Sequence, residues 1–359
     1  MSLKTPRVIA ALAPQDGLYS VLEKGTEGTA ARVIGSVREV LFLGTERDRV
    51  IARIADPAVH VVSLTVTEKG YCHDPATGRL NVLHPDIAHD LAHPEAPVSA
   101  IGVLVAGLAA RREASSRPLN VVCCDNLPHN GRTVEGIVTA YVQMSDPALA
   151  EWIGAKVAFP CTMVDRIVPA TTEADIAEAA RLLGVVDAAP VVAEPYNSWV
   201  IENRFAAARP PWEEADAQIV ADVAPFETMK LRLLNGSHSA LAYLGFLSGH
   251  EFIWQASADP LLATLVERLM AEEVMPTLAA PPGVDLPAYG AQLMRRFRNP
   301  ALPHRTQQIA MDGSQKLPQR LLGTVRERLA GGGSIAHLAL AIAGWIRYAS
   351  GVDEHGKPI

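Results

Sequence analysis

The residues richest in chemistry stand close together, in the run Lys230-Leu-Arg-Leu-Leu-Asn235-Gly-Ser-His238. An amine, an amide and an imidazole this close suit proton transfer at a hydroxyl or carbonyl oxygen. A lysine taken out of water holds its proton less firmly and exchanges it with an alcohol near neutral pH, while an amide and an imidazole hold the same oxygen. At helical spacing Lys230, Leu234, Ser237 and Leu241 share one face, and Asn235 and His238 share an adjacent one. The same spacing also suits a solvated Lys230, a helix end at Asn235-Gly236 and a core histidine, so spacing alone leaves both readings open.

Two other runs look like chemistry and read better as structure. His84, His89 and His93 accompany Asp86 and Asp90, with His89 and His93 one helical turn apart as metal ligands stand. The segment is short and polar, and a solvated helix accounts for it. Gly331 to Gly333 before Ser334 has no β-rich run ahead of it, so a helix-helix turn explains it better than a phosphate loop. The four cysteines, Cys72, Cys123, Cys124 and Cys161, show no CxxC spacing and predict neither a disulfide nor a zinc framework.

The elements that must position Lys230 follow from pattern. A chain of 359 residues predicts two domains, and 49% hydrophobic with 20% charged residues marks a globular protein. The first two hundred residues alternate β-rich runs with amphipathic helical ones. His60 to Thr67 and Leu119 to Cys124 read as strands, Val98 to Arg112 and Asn130 to Met144 as helices, and Val157 to Val164 as a further strand ending at Asp165-Arg166. From about Ala221 onward helical patterns dominate, over Lys230 to Phe246, Pro260 to Glu273, Pro287 to Phe297 and Ile335 to Ala349. The fold class is therefore α/β, with a mostly parallel sheet in residues 1–220 and a mostly helical domain in 221–359, divided near or after Arg209-Pro210-Pro211.

Charge and hydropathy limit the partners. A formal net charge of −7 without a basic run argues against a nucleic-acid surface. No apolar run reaches the length of a membrane span, and the first residues lack the layout of a signal peptide, which predicts a cytoplasmic protein with a small-molecule partner.

Five segments carry a family resemblance. They are Thr65-Val-Thr-Glu-Lys-Gly-Tyr71, Cys124-Asp-Asn-Leu-Pro-His-Asn-Gly131, Phe159-Pro-Cys-Thr-Met-Val-Asp-Arg-Ile-Val-Pro169, the Lys230 run, and Asp312-Gly-Ser-Gln-Lys-Leu-Pro318. In this order they resemble the long-chain polyol-specific dehydrogenase family over nearly the whole chain. The resemblance implies a Rossmann-like nicotinamide-cofactor domain, a helical catalytic domain, and oxidoreductase chemistry on a sugar acid or polyol without a metal. It makes Lys230 the general acid/base and Asn126 and Asn235 the oxyanion hole. It gives His238 a place on the substrate, makes Glu227 a proton relay, and sets Asp165, Glu68 and Lys316 at the cofactor. Read from the residues alone, Asp125-Asn126 also suits a cap of the helix near Asn130, and Asp165-Arg166 a structural ion pair.

Within the family, Gln308 stands where mannitol dehydrogenases tend to carry arginine, so the resemblance points first to interconversion of D-fructuronate and D-mannonate, and second to a mannitol or other polyol dehydrogenase. His304 and Arg305 become candidates for a sugar-acid carboxylate, because guanidinium binds carboxylate as a fork. NAD is the expected cofactor. The segment Lys4-Thr5-Pro6-Arg7 shows no acid for the ribose hydroxyls and leaves NADP open. Family members begin with a strand and a glycine-rich turn that this sequence does not show, and run beyond Gly356-Lys-Pro-Ile359. The expectation is a chain shortened at both ends, with Met1 to Arg7 as the second strand's end and the start of the following helix, and cofactor binding weak or absent. An inactive binding protein is the alternative of another class.

Overall fold

The computed structural model describes residues 3–74 and 77–352. Met1, Ser2 and the run from Asp353 onward lie outside them. Of the stretch expected as a strand end and helix start, residues 3–6 form no strand, and a helix follows over Arg7–Leu12. The chain divides into two compact units. One comprises Met1–Glu23, Ala31–Val192 and Tyr196–Val223, the other Lys24–Ala30, Ala193–Pro195 and Ala224–Ile359.

Among the described residues, nine strands form three three-stranded sheets. The strands are β1 (Tyr19–Gly25), β2 (Gly28–Ile34), β3 (Val61–Leu64), β4 (Leu119–Cys123), β5 (Val157–Ala158), β6 (Thr162–Asp165), β7 (Val191–Ala193), β8 (Ser198–Glu202) and β9 (Gln218–Val220), and the sheet orders are β2-β1-β7, β3-β4-β5 and β6-β8-β9. β3, β4 and β5 run parallel. All five residues of the middle strand β4 are buried, so it reads as apolar apart from Asn120, whose amide accepts the Ala206 N–H and donates to Ala207 O.

Helices at Ala100–Ala114 and Asn130–Ser145 connect these strands. The first starts where the Ser99 hydroxyl accepts the Gly102 N–H, satisfying one of the four donors that a helix start leaves open. It packs tightly on the helix Leu43–Ala55: a Cβ on Gly107 would come within 2.6 Å of the Ile54 side chain. Its buried Arg111 spends its guanidinium on backbone. It donates to Ile54 O, Asp56 O, Val59 O, Arg117 O and Pro118 O, so one side chain gathers the carbonyls that lead into β3 and β4.

The single strand expected over Val157 to Val164 is two strands in two sheets. Pro160 has no N–H to give a ladder, and the chain leaves the parallel sheet at Phe159 to pair as β6 antiparallel with β8. Asn130 bridges the break. Its buried amide donates to Cys123 O and Thr162 O and accepts from the Thr162 N–H at 2.8 Å, tying the end of β4 to the start of β6. The next residue has to be glycine, because a Cβ on Gly131 would lie 2.5 Å from the carbonyl oxygens of Phe159 and Pro160.

The second unit is helical, with a core that includes Leu233, Leu241, Tyr243, Leu269, Leu293, Leu321 and Leu338. Three of its helical stretches contain a π segment: Lys230–Asn235, Leu269–Val274 and Pro318–Leu322. The helix expected from Pro260 to Glu273 is thus α only as far as Arg268. Gly331 to Gly333 is a turn between the helices Gly323–Ala330 and Ala336–Tyr348, with Gly332 at φ 69. Among the described residues no helix is long and apolar enough to cross a membrane.

Candidate active site

Lys230 to Asn235 is wound one residue wider than α-helix. The Gly236 N–H closes on Leu231 O, five residues back, before regular α-helix resumes over Gly236–Leu247. The expectation of two adjacent α-helical faces is corrected on this point. In an α-helix residues five apart point well away from one another, whereas i→i+5 winding turns the fifth residue back toward the first, so Lys230 and Asn235 come onto one side of the helix.

Lys230, Asn235 and His238 are 7%, 7% and 8% exposed, so all three candidates are buried. Asn235 Oδ1 and His238 Nε2 are buried without a hydrogen-bond partner. An orphaned buried polar atom costs about 1–3 kcal/mol, and two on consecutive turns mark a place where a ligand completes the bonding. His238 lies between two rings, stacked on Phe297 at 5.2 Å and on His304 at 5.7 Å between centroids. Burial first, then His304, Arg320, Arg296 and Lys316, push its imidazole well below the usual histidine range, and it stays neutral near pH 7. Burial also lowers His304. Glu227 stands on the helix Ala224–Met229, three residues before Lys230.

The structure does not bring Arg305 to this cluster. Its guanidinium is exposed, paired with the Glu251 carboxylate and placed over the Phe252 ring. Lys316 holds its ammonium on Met311 O at 2.6 Å. Two residues that the sequence reasoning passed over stand closer to His238. Phe297 stacks on it, and Arg320 donates to the hydroxyl of the neighbouring Ser239 at 3.1 Å. The signal for Arg320 was its place four residues after Lys316, one turn along the same motif.

In the first unit each candidate sits at or just after the carboxyl end of a strand. Leu64 of β3 stands opposite Cys123 of β4, so the loops carrying Glu68 and Asn126 leave adjacent strands in the same direction. Asn126 and Glu68 are exposed, and Asp165 is buried as the last residue of β6. Asp125 does not cap the helix near Asn130. Its carboxylate takes the Val66 N–H at 2.8 Å and the Tyr71 O–H at 2.7 Å, joining the two loops. Arg166 pairs with Glu23 at 2.7 Å. An open parallel sheet takes nucleotides at this carboxyl edge, and a pair of loops pinned to each other there fits a nicotinamide nucleotide.

The histidine-rich run is the helix Pro85–Ala92, in which buried Asp90 accepts from Val98 N, Ser99 N and Ser99 Oγ as a structural anchor. Cys72, His84 and Asp86 bring ligand-type atoms within 4.8 Å of one another. The Lys4 ammonium already sits 2.7 Å from Asp86, and burial pushes the Cys72 thiol up to about 11. The four cysteines are free.

A parallel Rossmann sheet followed by a helical unit with a buried lysine, asparagine and histidine defines a two-domain oxidoreductase. Comparison with known proteins gives the narrower placement. The mannitol dehydrogenase Rossmann domain matches residues 2–214 and the mannitol dehydrogenase C-terminal domain residues 222–359, and the chain belongs to the mannitol dehydrogenase family. It is 51% identical to the D-mannonate oxidoreductase of Escherichia coli K12 over 98% of this chain and 73% of that protein. It is 42% identical to a mannitol 2-dehydrogenase of Phaeosphaeria nodorum over 97% of this chain and 62% of the relative. The Pseudomonas fluorescens mannitol 2-dehydrogenase, solved with NAD and D-mannitol, superposes with a TM-score of 0.91 at 40% identity, covering 98% of this chain and 72% of that one.

Proposed function

We propose that this chain interconverts D-fructuronate and D-mannonate with NAD(H), using Lys230 as general acid/base. The observation that carries the reading is the π winding that sets buried Lys230 and Asn235 on one face, beside a neutral His238 with an orphaned nitrogen. The identity to the E. coli D-mannonate oxidoreductase supports the choice of a sugar acid.

When bound, the nicotinamide supplies or takes the hydride at the carbonyl carbon. The chain's residues handle the oxygen. Lys230 gives a proton to that oxygen in reduction and removes it in oxidation. The Asn235 amide, turned to present its N–H, and the Asn126 amide supply donors as negative charge develops there. His238 orients the adjacent hydroxyl, with Phe297 and His304 fixing its ring plane. Glu227, three residues along, passes the proton between Lys230 and water. Glu68 and Asp165 serve the cofactor at the strand ends, and Lys316 completes that set.

A mannitol 2-dehydrogenase is the second reading, favoured by the superposition on the P. fluorescens enzyme. NADH consumption measured in parallel with D-fructuronate and D-fructose separates the two. Lys230→Ala is expected to remove about 10²–10⁴ of the rate with the preferred ketose. Turnover of fructose alone would move the protein to the second reading, and an unimpaired Lys230→Ala enzyme would remove the lysine from the mechanism. Calorimetric titration with NADH tests the cofactor independently of turnover.

A further inference from the structure

We propose that Thr67 is a cofactor-binding residue of this protein, its hydroxyl holding the carboxamide of the nicotinamide ring. The assignment rests on the nicotinamide reading above and extends it to a residue that the sequence reasoning passed over.

Thr67 has a backbone that its own side chain opposes. It stands at φ 64 and ψ 161, a conformation open in practice to glycine. Branching at Cβ adds to the strain. The other non-glycine residues at positive φ among the described residues are Asp, Cys, Ser and His, none of them β-branched. The surrounding loop imposes this conformation. The Val66 N–H and the Tyr71 O–H both meet Asp125 Oδ2, at 2.8 and 2.7 Å, and the Gly70 N–H closes on Thr67 O at 3.0 Å. The turn between those anchors is so tight that a Cβ on Gly70 would lie 3.0 Å from Val66 Cβ.

Glycine at this position would meet the same backbone demand without strain, so the threonine side chain answers to something other than the loop. Thr67 is exposed. A threonine at a helix start commonly accepts an N–H as a cap, yet Thr67 takes none from the helix Glu68–Tyr71, and its hydroxyl makes no hydrogen bond among the described residues. Its work is toward a ligand. The parallel register says where. Leu64 of β3 stands opposite Cys123 of β4, and three residues beyond them come Thr67 and Asn126, each directly after a residue of the Val66–Asp125 hydrogen bond. Thr67 thus lies at the carboxyl edge where an open parallel sheet takes a nucleotide, level with the amide that the proposed mechanism sets at the reacting oxygen. The part of the cofactor that must approach that oxygen is the nicotinamide ring, whose polar substituent is a carboxamide. A hydroxyl is donor and acceptor together and meets either end of it.

The test measures NADH and ADP-ribose affinity by calorimetry, with thermal unfolding midpoints, for wild type, Thr67→Val, Thr67→Ser and Thr67→Gly. Thr67→Val keeps the shape and loses the hydroxyl. Its Kd for NADH is expected to rise about 3- to 10-fold, while its Kd for ADP-ribose, which lacks the carboxamide, stays unchanged. Thr67→Ser should bind NADH nearly as wild type does. Thr67→Gly should weaken NADH binding as Thr67→Val does and yet melt roughly 1–3 °C higher, because the strain leaves with the side chain. Gain of stability paired with loss of affinity is what a merely structural threonine does not give. Wild-type NADH affinity in Thr67→Val, an equal loss for ADP-ribose, or a Thr67→Gly midpoint at or below wild type would each overturn the assignment. Should Thr67→Val fail to fold, the other two variants decide, since equal NADH affinity in Thr67→Ser and Thr67→Gly would show the hydroxyl idle. A wild-type protein that binds no NADH would instead remove the nicotinamide reading, an outcome visible before any variant is made.

Discussion

Glu194 and Arg296 form a two-pronged ion pair with side chains only 3% and 6% exposed, and Arg296 immediately precedes the Phe297 ring that stacks on His238. A buried pair contributes little net stability while intact, because both charges leave water. Breaking it is another matter. Glu194→Gln takes the opposing charge from a buried guanidinium and is expected to cost about 3–5 kcal/mol, read as a lower denaturation midpoint. The double variant Glu194→Leu with Arg296→Met removes both charges and should recover most of that loss. A single variant as stable as wild type would show that the pair does not hold the Phe297 helix in place.

Acid should unfold this protein earlier than its carboxylates alone require. Unfolded His238 takes a proton near pH 6.5, while the folded imidazole, buried and surrounded by basic groups, refuses it until far lower pH. The unfolded state therefore binds more protons below about pH 6.5, and stability falls by about 1.4 kcal/mol per pH unit for each such histidine as pH drops. Above that pH the contribution is fully present. His304 acts in the same direction. Chemical denaturation between about pH 6.5 and 4.5, where ordinary carboxylates are still largely ionised, should show this slope, and His238→Gln should lower it by about one proton's worth. Parallel curves for the two proteins would mean that His238 titrates normally when folded.

Tyr71 and Asp125 set the turn that carries Asn126. The buried Tyr71 hydroxyl reaches the Asp125 carboxylate at 2.7 Å and lies 3.0 Å from Cys123 Sγ, joining the Glu68 loop to the end of β4. Tyr71→Phe removes one donor from the Asp125 side chain and should cost about 1–3 kcal/mol of stability. It should also reduce turnover more than Lys230-independent cofactor binding, because it loosens the loop next to Asn126. Unchanged stability and turnover together would show that Val66 alone holds Asp125.

Much of this architecture can be read from the residues. The run Leu119 to Cys123 is apolar except at Asn120 because β4 is covered on both faces, and Asn130 to Ser145 has its expected helical period. The strand from Val157 misled because its apolar pattern continues across Phe159-Pro160, and nothing in the pattern says that the two halves join different sheets. The π winding at Lys230 is equally silent. The widening is confined to Lys230–Asn235 and the apolar pattern on either side keeps its helical period, so the sequence does not show that Asn235 is turned back toward Lys230. Arg305 drew attention as an arginine near His304, yet partner choice depends on Glu251, which lies more than fifty positions away. The same distance problem hid Arg320 and Ser239, eighty-one positions apart.

The helical unit does not consist of one stretch of chain. Residues 24–30 and 193–195 belong to it, the chain crossing at 23/24, 30/31, 192/193, 195/196 and 223/224. Asn299 donates to Lys24 O across 275 positions, and Arg296 meets Glu194 across 102. On a ribosome these early pieces emerge long before their partners exist, so the helical unit closes only after Arg296 and Asn299 have been made, with contacts of high sequence separation formed last. A gene cut at 224 to express the helical part alone would leave Arg296 without its carboxylate, and insolubility of that fragment would report a missing strap, not a weak helical core.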